Sequence, residues 1–309
     1  MGKKILIAVG DCAYSKQSVK YVARICSAAK NVTYTLFNIL PLIPRIFKDI
    51  AETEPKVKAR VNDLVRKDTE AAKCVVQEFK DLMVREGIPE NRIETVTDPI
   101  QLGLAKDILS RAEQGLYDAI VLGRRALTPS RDFFIGTTAT KVVEHALKTP
   151  VWVVDGETIS MKIMLAVDGS ENSLRDADHL VYMVGPNPDL QLTLFHVLPR
   201  LRHYYSVDFE REHPDLQEIF QREDKRRMKA FYEKAHERFK SAGLKNSQIK
   251  IKTNTQSYQI STAILDEARS GGYSTVVVGR RGERGAFFTG RIAMRLVQKV
   301  SGCTLWVVN

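Results

Sequence analysis

Glycine and hydroxyl side chains that follow an apolar run are the residues of this chain best suited to bind an anion. The run ends at Gly123, and after a loop Gly136, Thr137 and Thr138 open a predicted helix. Glycines let the backbone approach a phosphate, and helix N-terminal amides and hydroxyl groups then bind it. The alternative is that Gly123 only ends a strand and that Thr137 only caps a helix. In isolation the residues favour this simpler explanation.

A second loop of the same kind lies in the C-terminal half of the chain. Gly279 ends an apolar run, and Gly282 and Gly290 follow it. Each loop also carries an arginine at the matching place, Arg125 in the first and Arg281 in the second. A guanidinium there can form charge-assisted hydrogen bonds with a phosphate. Two arginines on a solvated surface explain the same residues, so both interpretations stay open.

The motifs of classical catalytic sites are missing from the sequence. It has no GxxxxGK(S/T) phosphate loop, no GxSxG elbow and no HExxH zinc motif. The histidines are dispersed, and His196 lies inside an apolar run, where a hydrogen-bonded core residue is commoner than a ligand. The four cysteines lack CxxC or CxH spacing, which is typical of a reducing cytosol. The sequence therefore predicts no catalytic residue and no metal site.

The composition is that of an ordinary globular protein, with 44% hydrophobic and 27% charged residues in a chain of 309. No apolar run approaches the roughly 20 residues of a membrane span, and the first one is too short for a signal peptide. The net charge of +10 is shared equally between the halves, and basic residues interleave with acidic ones. That pattern is typical of solvated helix faces. We expect a soluble cytoplasmic protein without a membrane segment, and the charge does not favour nucleic-acid binding.

Internal repetition is the strongest signal in the sequence. Four segments recur in the same order at a nearly constant offset, namely Lys4–Val9 at Lys162–Val167, Leu36–Pro41 at Leu194–Pro199, Val121–Arg125 at Val277–Arg281, and Trp152–Val154 at Trp306–Val308. The chain is therefore predicted to contain a duplicated domain, with copies at residues 1–155 and 160–309.

Each repeated segment is a short β-branched apolar run, as expected for a strand buried on both faces. Helical patterns lie between these runs; one extends from Val57 to Arg85 and ends at Gly87. This alternation predicts a parallel sheet with right-handed crossovers in each copy. Strands are expected near residues 4–9, 33–39, 91–96, 118–122 and 151–154, with counterparts in the second copy. Ligands bind such sheets beyond the carboxyl ends of the strands.

The segment Ala166-Val-Asp-Gly-Ser-Glu-Asn-Ser173 resembles the opening of the universal stress protein family. The loops after the fourth strand resemble that family's nucleotide motif, G-x2-G-x9-G-(S/T), in position and order. The resemblance covers nearly the whole chain twice. It implies an α/β fold of two tandem, doubly wound, five-stranded parallel-sheet domains, similar to the adenine nucleotide α-hydrolases.

The resemblance also implies a site for ATP or another adenine nucleotide, with Mg²⁺ accompanying it as an open question. Adenine would lie near the ends of strands one and two, and the glycine motif would hold ribose and phosphates. The implied residues of the first copy are Val9, Gly10, Asp11, Ile39, Gly123, Arg125, Gly136, Thr137 and Thr138. Those of the second copy are Val167, Asp168, Val197, Gly279, Arg281, Gly282 and Gly290.

Neither copy matches the family motif fully. The first has Ala126 in place of the second glycine, and Gly10 stands where the family's aspartate is expected, so that Asp11 comes one residue late. Successive strand side chains face opposite ways, so this shift can aim Asp11 elsewhere. The second copy keeps Asp168, but its loop is shorter and Arg291 replaces the hydroxyl residue. We therefore expect the first copy to retain the phosphate-binding geometry and the second to retain the acid on the adenosine side.

Two functions are consistent with the sequence. One is a stress-response or regulatory protein that binds an adenine nucleotide in at least one domain, with at most slow ATP hydrolysis. The other is a protein-interaction scaffold whose nucleotide sites have decayed. In either case the apolar last strands, Val151–Val154 and Leu305–Val308, are predicted to pair with each other, as in an intramolecular pseudo-dimer. Homodimerisation and the identity of protein partners stay open.

Overall fold

A computed structural model of the chain describes residues 2–124, 136–156, 159–198, 212–255, 257, 259–280 and 290–309. By backbone contacts these residues form two compact units, Met1–Arg24 with Asn31–Thr149, and Ile25–Lys30 with Pro150–Asn309. Strands and helices alternate in both units, and the sheets are largely parallel. The α/β fold predicted from the sequence is confirmed. No helix in the described part of the chain has the length and apolar character needed to cross a membrane.

The first unit is a parallel sheet of four strands in the order β3-β2-β1-β4. Its elements are β1 (Lys3–Ala8), α1 (Ala13–Ile25), β2 (Val32–Leu40), α2 (Arg45–Thr53), α3 (Pro55–Arg85), β3 (Ile93–Pro99), α4 (Leu104–Gln114), β4 (Ala119–Gly123) and α5 (Thr137–His145). The central strands β1 and β4 are buried along almost their whole length, as the continuous apolar runs predict. Helix α3 buries side chains only from Ala72 onward, so its N-terminal half lies outside this core.

The second unit repeats this arrangement and contains two further strands, β5 and β10. Its sheet order is β5-β10-β9-β6-β7-β8. Its elements are β5 (Val151–Val154), β6 (Lys162–Val167), α6 (Glu171–Val184), β7 (Gln191–Val197), α7 (Pro214–Ser241), β8 (Ile249–Asn254), α8 (Ile260–Ser270), β9 (Thr275–Gly279), α9 (Gly290–Lys299) and β10 (Thr304–Val308). The predicted strands agree with the observed ones to within a few residues.

Strand registers show how closely the two copies agree. Lys4 pairs with Thr33 and Lys162 pairs with Gln191, and these two pairs occupy the same place in the repeat. The β1–β4 pairing begins at Ile5, and the β6–β9 pairing begins at its counterpart in the second copy, Ile163. A one-residue slip would exchange the faces of a strand, so identical registers require the same core pattern in both copies. The duplication inferred from the sequence is thus present in the hydrogen-bonded ladders.

The predicted pairing of the two last strands is confirmed. Strands β5 and β10 run antiparallel, and Trp152 lies opposite Trp306. Their rings stack with centroids 3.8 Å apart and planes 3° from parallel. His179 of α6 contacts both rings edge-on, at centroid distances of 6.2 and 5.8 Å. Because this pairing brings β5 into the second unit, the last strand of the first repeat is counted with the second.

His179 makes the second unit sensitive to acid. Burial lowers the pKa of His179 from 6.5 to about 3. The unfolded chain therefore binds a proton below pH 6.5 that the folded chain excludes, so stability is lost as the pH falls through 6.5. Between pH 7.5 and 5 this histidine alone is expected to lower the free energy of unfolding by about 2 kcal/mol. Urea denaturation at the two pH values measures the loss, and the variant His179→Phe should show less of it. An equal loss in the variant would contradict this assignment.

Candidate functional site

The carboxyl ends of β1, β2 and β4 lie side by side in the first unit. Ala8 pairs with Phe37 on one side and with Leu122 on the other. The backbone N–H of Val9 continues this ladder and donates to the carbonyl of Phe37 at 2.9 Å. Val9 and Gly123, which follow the paired residues, therefore start their loops from one edge of the sheet, where parallel α/β folds bind ligands.

Two side chains hold the loop after β1 in place. The Gly10 N–H donates to Ser15 Oγ at 2.9 Å, which ties the loop to the start of α1. The amide of Asn38, on β2, donates to the Val9 carbonyl at 2.9 Å. Asp11 is exposed, and among the described residues it has no hydrogen bond to the other predicted site positions. The residue that follows Val9 on the site edge is thus Gly10, which has no carboxylate to offer a ligand.

The second unit has an acid at the corresponding place. Asp168 N–H donates to Ser173 Oγ at 3.1 Å, as Gly10 does to Ser15. One carboxylate oxygen of Asp168, Oδ1, accepts from the Ser170 N–H at 3.0 Å and from the Ser173 hydroxyl at 2.7 Å. The other oxygen, Oδ2, is buried and has no partner among the described residues. A buried carboxylate oxygen without a donor is costly, and a ligand hydroxyl would supply one.

A second acid, Asp176 of α6, lies buried near Asp168. Burial raises the pKa of Asp176 well above its usual value, and the Asp168 carboxylate raises it further, while Arg175 has the opposite effect. These influences favour the protonated form of Asp176.

The glycines that end β4 and β9 are required by packing. A Cβ on Gly123 would lie 2.7 Å from Tyr14 Cβ and 3.0 Å from the Tyr14 carbonyl oxygen. A Cβ on Gly279 would lie 2.5 Å from Asp176 Oδ2. In each unit the helix that follows the first strand presses against the end of the fourth. A glycine without a side chain can let a phosphate approach the backbone, but here the space beside each glycine is occupied by a helix of the same unit.

Gly123→Ala is expected to destabilise the chain by about 1–3 kcal/mol, because the new methyl group meets the Tyr14 backbone and α1 must shift. Urea denaturation of the variant and the parent chain measures the change. Gly290→Ala serves as control, since the nearest atom to its Cβ is the Arg280 carbonyl oxygen at 3.8 Å. Equal stability of Gly123→Ala and the parent chain would contradict the packing explanation.

The described residues on either side of each fourth-strand loop lie close together. The Gly136 N–H donates to the Arg124 carbonyl at 2.8 Å, and Thr137 and Thr138 then form the first turn of α5. No side chain caps this helix in the described part of the chain. The first amides of α5 thus start beside the end of β4 and next to the Val9 edge. Helix N-terminal amides in this position attract anions.

The flanking residues are also close in the second unit, since α9 begins at Gly290 beside Arg280. Of the second-strand positions, Ile39 is half-buried and Val197 is buried at the end of its strand. The structure therefore brings the described strand-end and helix-start positions to one sheet edge in each unit, and Asp11 follows Gly10 as an exposed residue. Arg125, Ala126, Arg281 and Gly282 lie outside the described residues.

Sequence reasoning missed three groups at this edge. Ser15 and Ser173 hold the first loop of each unit, and they occupy the same place in the repeat. The role of His196 as a hydrogen-bonded core residue was predicted, but its partner Asp224 on α7 was not. The sequence did contain a signal for this contact, because the second copy has His196 at the position where the first copy has Asn38. No three His, Cys, Asp or Glu residues within the described ranges cluster closely enough to hold a metal ion.

Comparisons with known proteins agree with this architecture. The model of the universal stress protein family matches residues 1–155 and again residues 160–309. No curated protein matches the chain.

Among solved structures, a universal stress protein from Archaeoglobus fulgidus is similar over 99% of this chain and 98% of its own, with a TM-score of 0.60 and 14% identity. A protein of unknown function from Pseudomonas aeruginosa PAO1 is similar over 99% of this chain and 92% of its own, with a TM-score of 0.58 and 13% identity. At such identities the structures establish only the fold. Two family matches that together cover nearly the whole chain establish more: the chain belongs to the universal stress protein family, as a tandem two-domain member.

Proposed function

We propose that this protein binds an adenine nucleotide in at least one of two domains, residues 1–155 and 160–309, and acts in a stress response through that occupancy. The observation that carries the proposal is the bond between Gly136 and Arg124. It sets the first amides of α5 beside the carboxyl end of β4, the strand that pairs with β1. This arrangement offers an anion site and an apolar sheet edge next to each other, as a nucleotide requires.

The parts of a nucleotide map onto different residues of the first unit. The backbone at Val9 and Gly10, with Ile39 beside it, would contact adenine. The amides and hydroxyl groups at Gly136, Thr137 and Thr138 would bind phosphate, and Arg125 would add charge. Gly10 provides no side chain for the ribose. A Mg²⁺ ion, where present, would accompany the phosphates of ATP, since the described residues contain no cluster that would hold it alone.

The second unit offers the complementary features. The buried, unpartnered Oδ2 of Asp168 fits a ribose hydroxyl, with Val167 and Val197 on the adenine side. Gly279, Arg281, Gly282 and Gly290 belong to its phosphate side. The chemistry is that of binding and positioning, so any ATP hydrolysis would be slow. A cytoplasmic location is part of the proposal.

A scaffold function is the second candidate, and one observation favours it. Apolar side chains of α2 and the N-terminal half of α3 are exposed, with Ile46 62%, Phe47 47% and Leu64 45% accessible. Such side chains on neighbouring helices are typical of a surface that contacts a protein partner.

Release of bound nucleotide separates the two candidates. Protein purified from cells and denatured is expected to release an adenine nucleotide, detected by chromatography. Calorimetric titration of the emptied protein with ATP should then give saturable heat at millimolar concentrations or below. A protein that releases no nucleotide and shows no binding at millimolar ATP would favour the scaffold function instead.

A further inference from the structure

Helix α7 crosses directly over the loop that carries Asp168. Gly169, the next residue, has a positive φ of 80°, and a Cβ there would lie 3.0 Å from Met228 Sδ and 3.1 Å from Arg227 Cγ, both on α7. Asp168 itself is only 4% accessible. The proposed ribose position of the second unit is therefore covered by the helix.

A buried histidine joins this helix to the sheet. His196 of β7 contacts the Val167 carbonyl through Nδ1 at 3.0 Å and Asp224 Oδ2 of α7 through Nε2 at 2.9 Å. The histidine ring therefore bridges the end of β6 and helix α7 through its two nitrogens. Arg227 donates to the other oxygen of Asp224 at 2.9 Å. The Arg227 bond is charge-assisted, and bonds of this kind are among the stronger ones in proteins.

The N-terminal part of α7 has few other attachments. Asp224 is the first buried residue of the helix, and the described residues 214–223 before it bury no side chain. A cavity of about 440 Å³ also separates α7 from the start of α6; Leu174, Phe220 and Phe231 contribute to its lining. Because little apolar surface is buried there, the His196–Asp224 contact provides much of the stabilisation that keeps this part of the helix in position.

The first unit lacks the corresponding contact. Asn38 is the counterpart of His196 in the repeat and donates to the Val9 carbonyl at 2.9 Å, as His196 does to Val167. Within the described ranges Asn38 has no hydrogen bond to α3, the long helix between β2 and β3 that corresponds to α7. An asparagine reaches the carbonyl but not a second partner on the helix. The two units thus differ in whether the helix after the second strand is fastened to the nucleotide edge.

We propose that the His196–Asp224 pair is an autoinhibitory latch, which holds α7 over the second nucleotide site and keeps Asp168 from a ribose. The latch rests on the proposed adenine-nucleotide function. When the pair is broken, the N-terminal part of α7 moves away and the unpartnered Oδ2 of Asp168 becomes available to a ligand hydroxyl. The first unit is then the open site of the resting protein, and the second unit binds only after release.

The variant His196→Asn tests the latch, because it reproduces Asn38 of the first unit. It keeps the bond to the Val167 carbonyl and removes the one to Asp224. Amide hydrogen exchange in residues 214–228 is expected to accelerate by about tenfold, the factor for losing a bond of about 1.4 kcal/mol. Asp224→Asn, which removes the charge with little change in shape, should act in the same direction. Arg226→Gln is the control, since in the described part of the chain Arg226 forms only an exposed pair with Glu223 on the same helix.

Nucleotide binding is measured in a Gly136→Val background, in which binding to the first site is expected to be weakened. ATP should bind to the Gly136→Val/His196→Asn protein at least about tenfold more tightly than to Gly136→Val alone, by calorimetry. Unchanged exchange in both His196→Asn and Asp224→Asn overturns the latch, whatever ATP does. Faster exchange without tighter ATP binding overturns autoinhibition while the parent protein still binds ATP. If the parent protein itself does not bind ATP, the proposed function is overturned. The titration of the parent protein distinguishes this result from the other two.

Discussion

Replacing Gly136 by valine is expected to lower the affinity of the chain for ATP by at least about tenfold. The backbone at Gly136 has φ −58° and ψ 138°, a conformation that valine adopts readily, so the variant should fold. The branched side chain instead occupies the approach to the first amides of α5. Losing one charge-assisted hydrogen bond to phosphate costs about 1.5–3 kcal/mol, which corresponds to a tenfold change or more. Calorimetric titration with ATP measures the effect.

Gly290→Val is the matched control in the second unit. Gly290 is the first residue of α9, and Gly136 is the residue before α5. In the second unit, however, Asp168 lies under α7, and this site is proposed to be closed. The affinity of this variant for ATP should therefore stay close to that of the parent chain. If Gly290→Val abolishes binding and Gly136→Val does not, the working site has been assigned to the wrong unit. Thermal unfolding of both variants shows that any loss is not caused by misfolding.

The asymmetry between the units also explains which parts of the site were predictable from the sequence. Aligning the two repeats matches Gly10 with Asp168 and Asn38 with His196, so these differences between the copies were directly visible in the sequence. The strand positions and the largely parallel sheets were predictable as well, because continuous apolar runs separated by helical patterns allow few other arrangements. The one-residue shift at Asp11 was visible in the same way, and in the structure this residue is exposed.

What the sequence could not provide is contact between elements distant along the chain. Asp224 lies 28 residues after His196 in a helix rich in charges, and nothing in its neighbours distinguishes it from a solvated acid. Gly123 had two interpretations, an approach for phosphate or the end of a strand, and neither predicted that Tyr14 packs against it. The shift in the pKa of Asp176 arises from burial and from Asp168, and neither effect is local in sequence. Such features require the packing of three elements to be known at once.

The second large effect concerns the strand pair that ends both repeats. Trp306→Ala is expected to lower the free energy of unfolding by about 3–5 kcal/mol, because a fully buried indole is removed and a cavity remains. The stacked ring of Trp152 and the edge of His179 lose their contacts with it at the same time. Both β5 and β10 depend on these contacts, since each strand is short and apolar. Urea denaturation followed by circular dichroism measures the loss.

Trp152→Phe separates ring stacking from the loss of volume. Trp152 Nε1 is buried and has no hydrogen-bond partner among the described residues, so phenylalanine removes a polar group that destabilises the folded chain. It keeps an aromatic face for Trp306, and its cost should stay below about 2 kcal/mol. A loss for Trp152→Phe as large as that for Trp306→Ala would show that the indole N–H has a partner and that stacking is not the main contribution. A small loss for Trp306→Ala would show that β10 is held by its parallel partner β9 and not by the tryptophan pair.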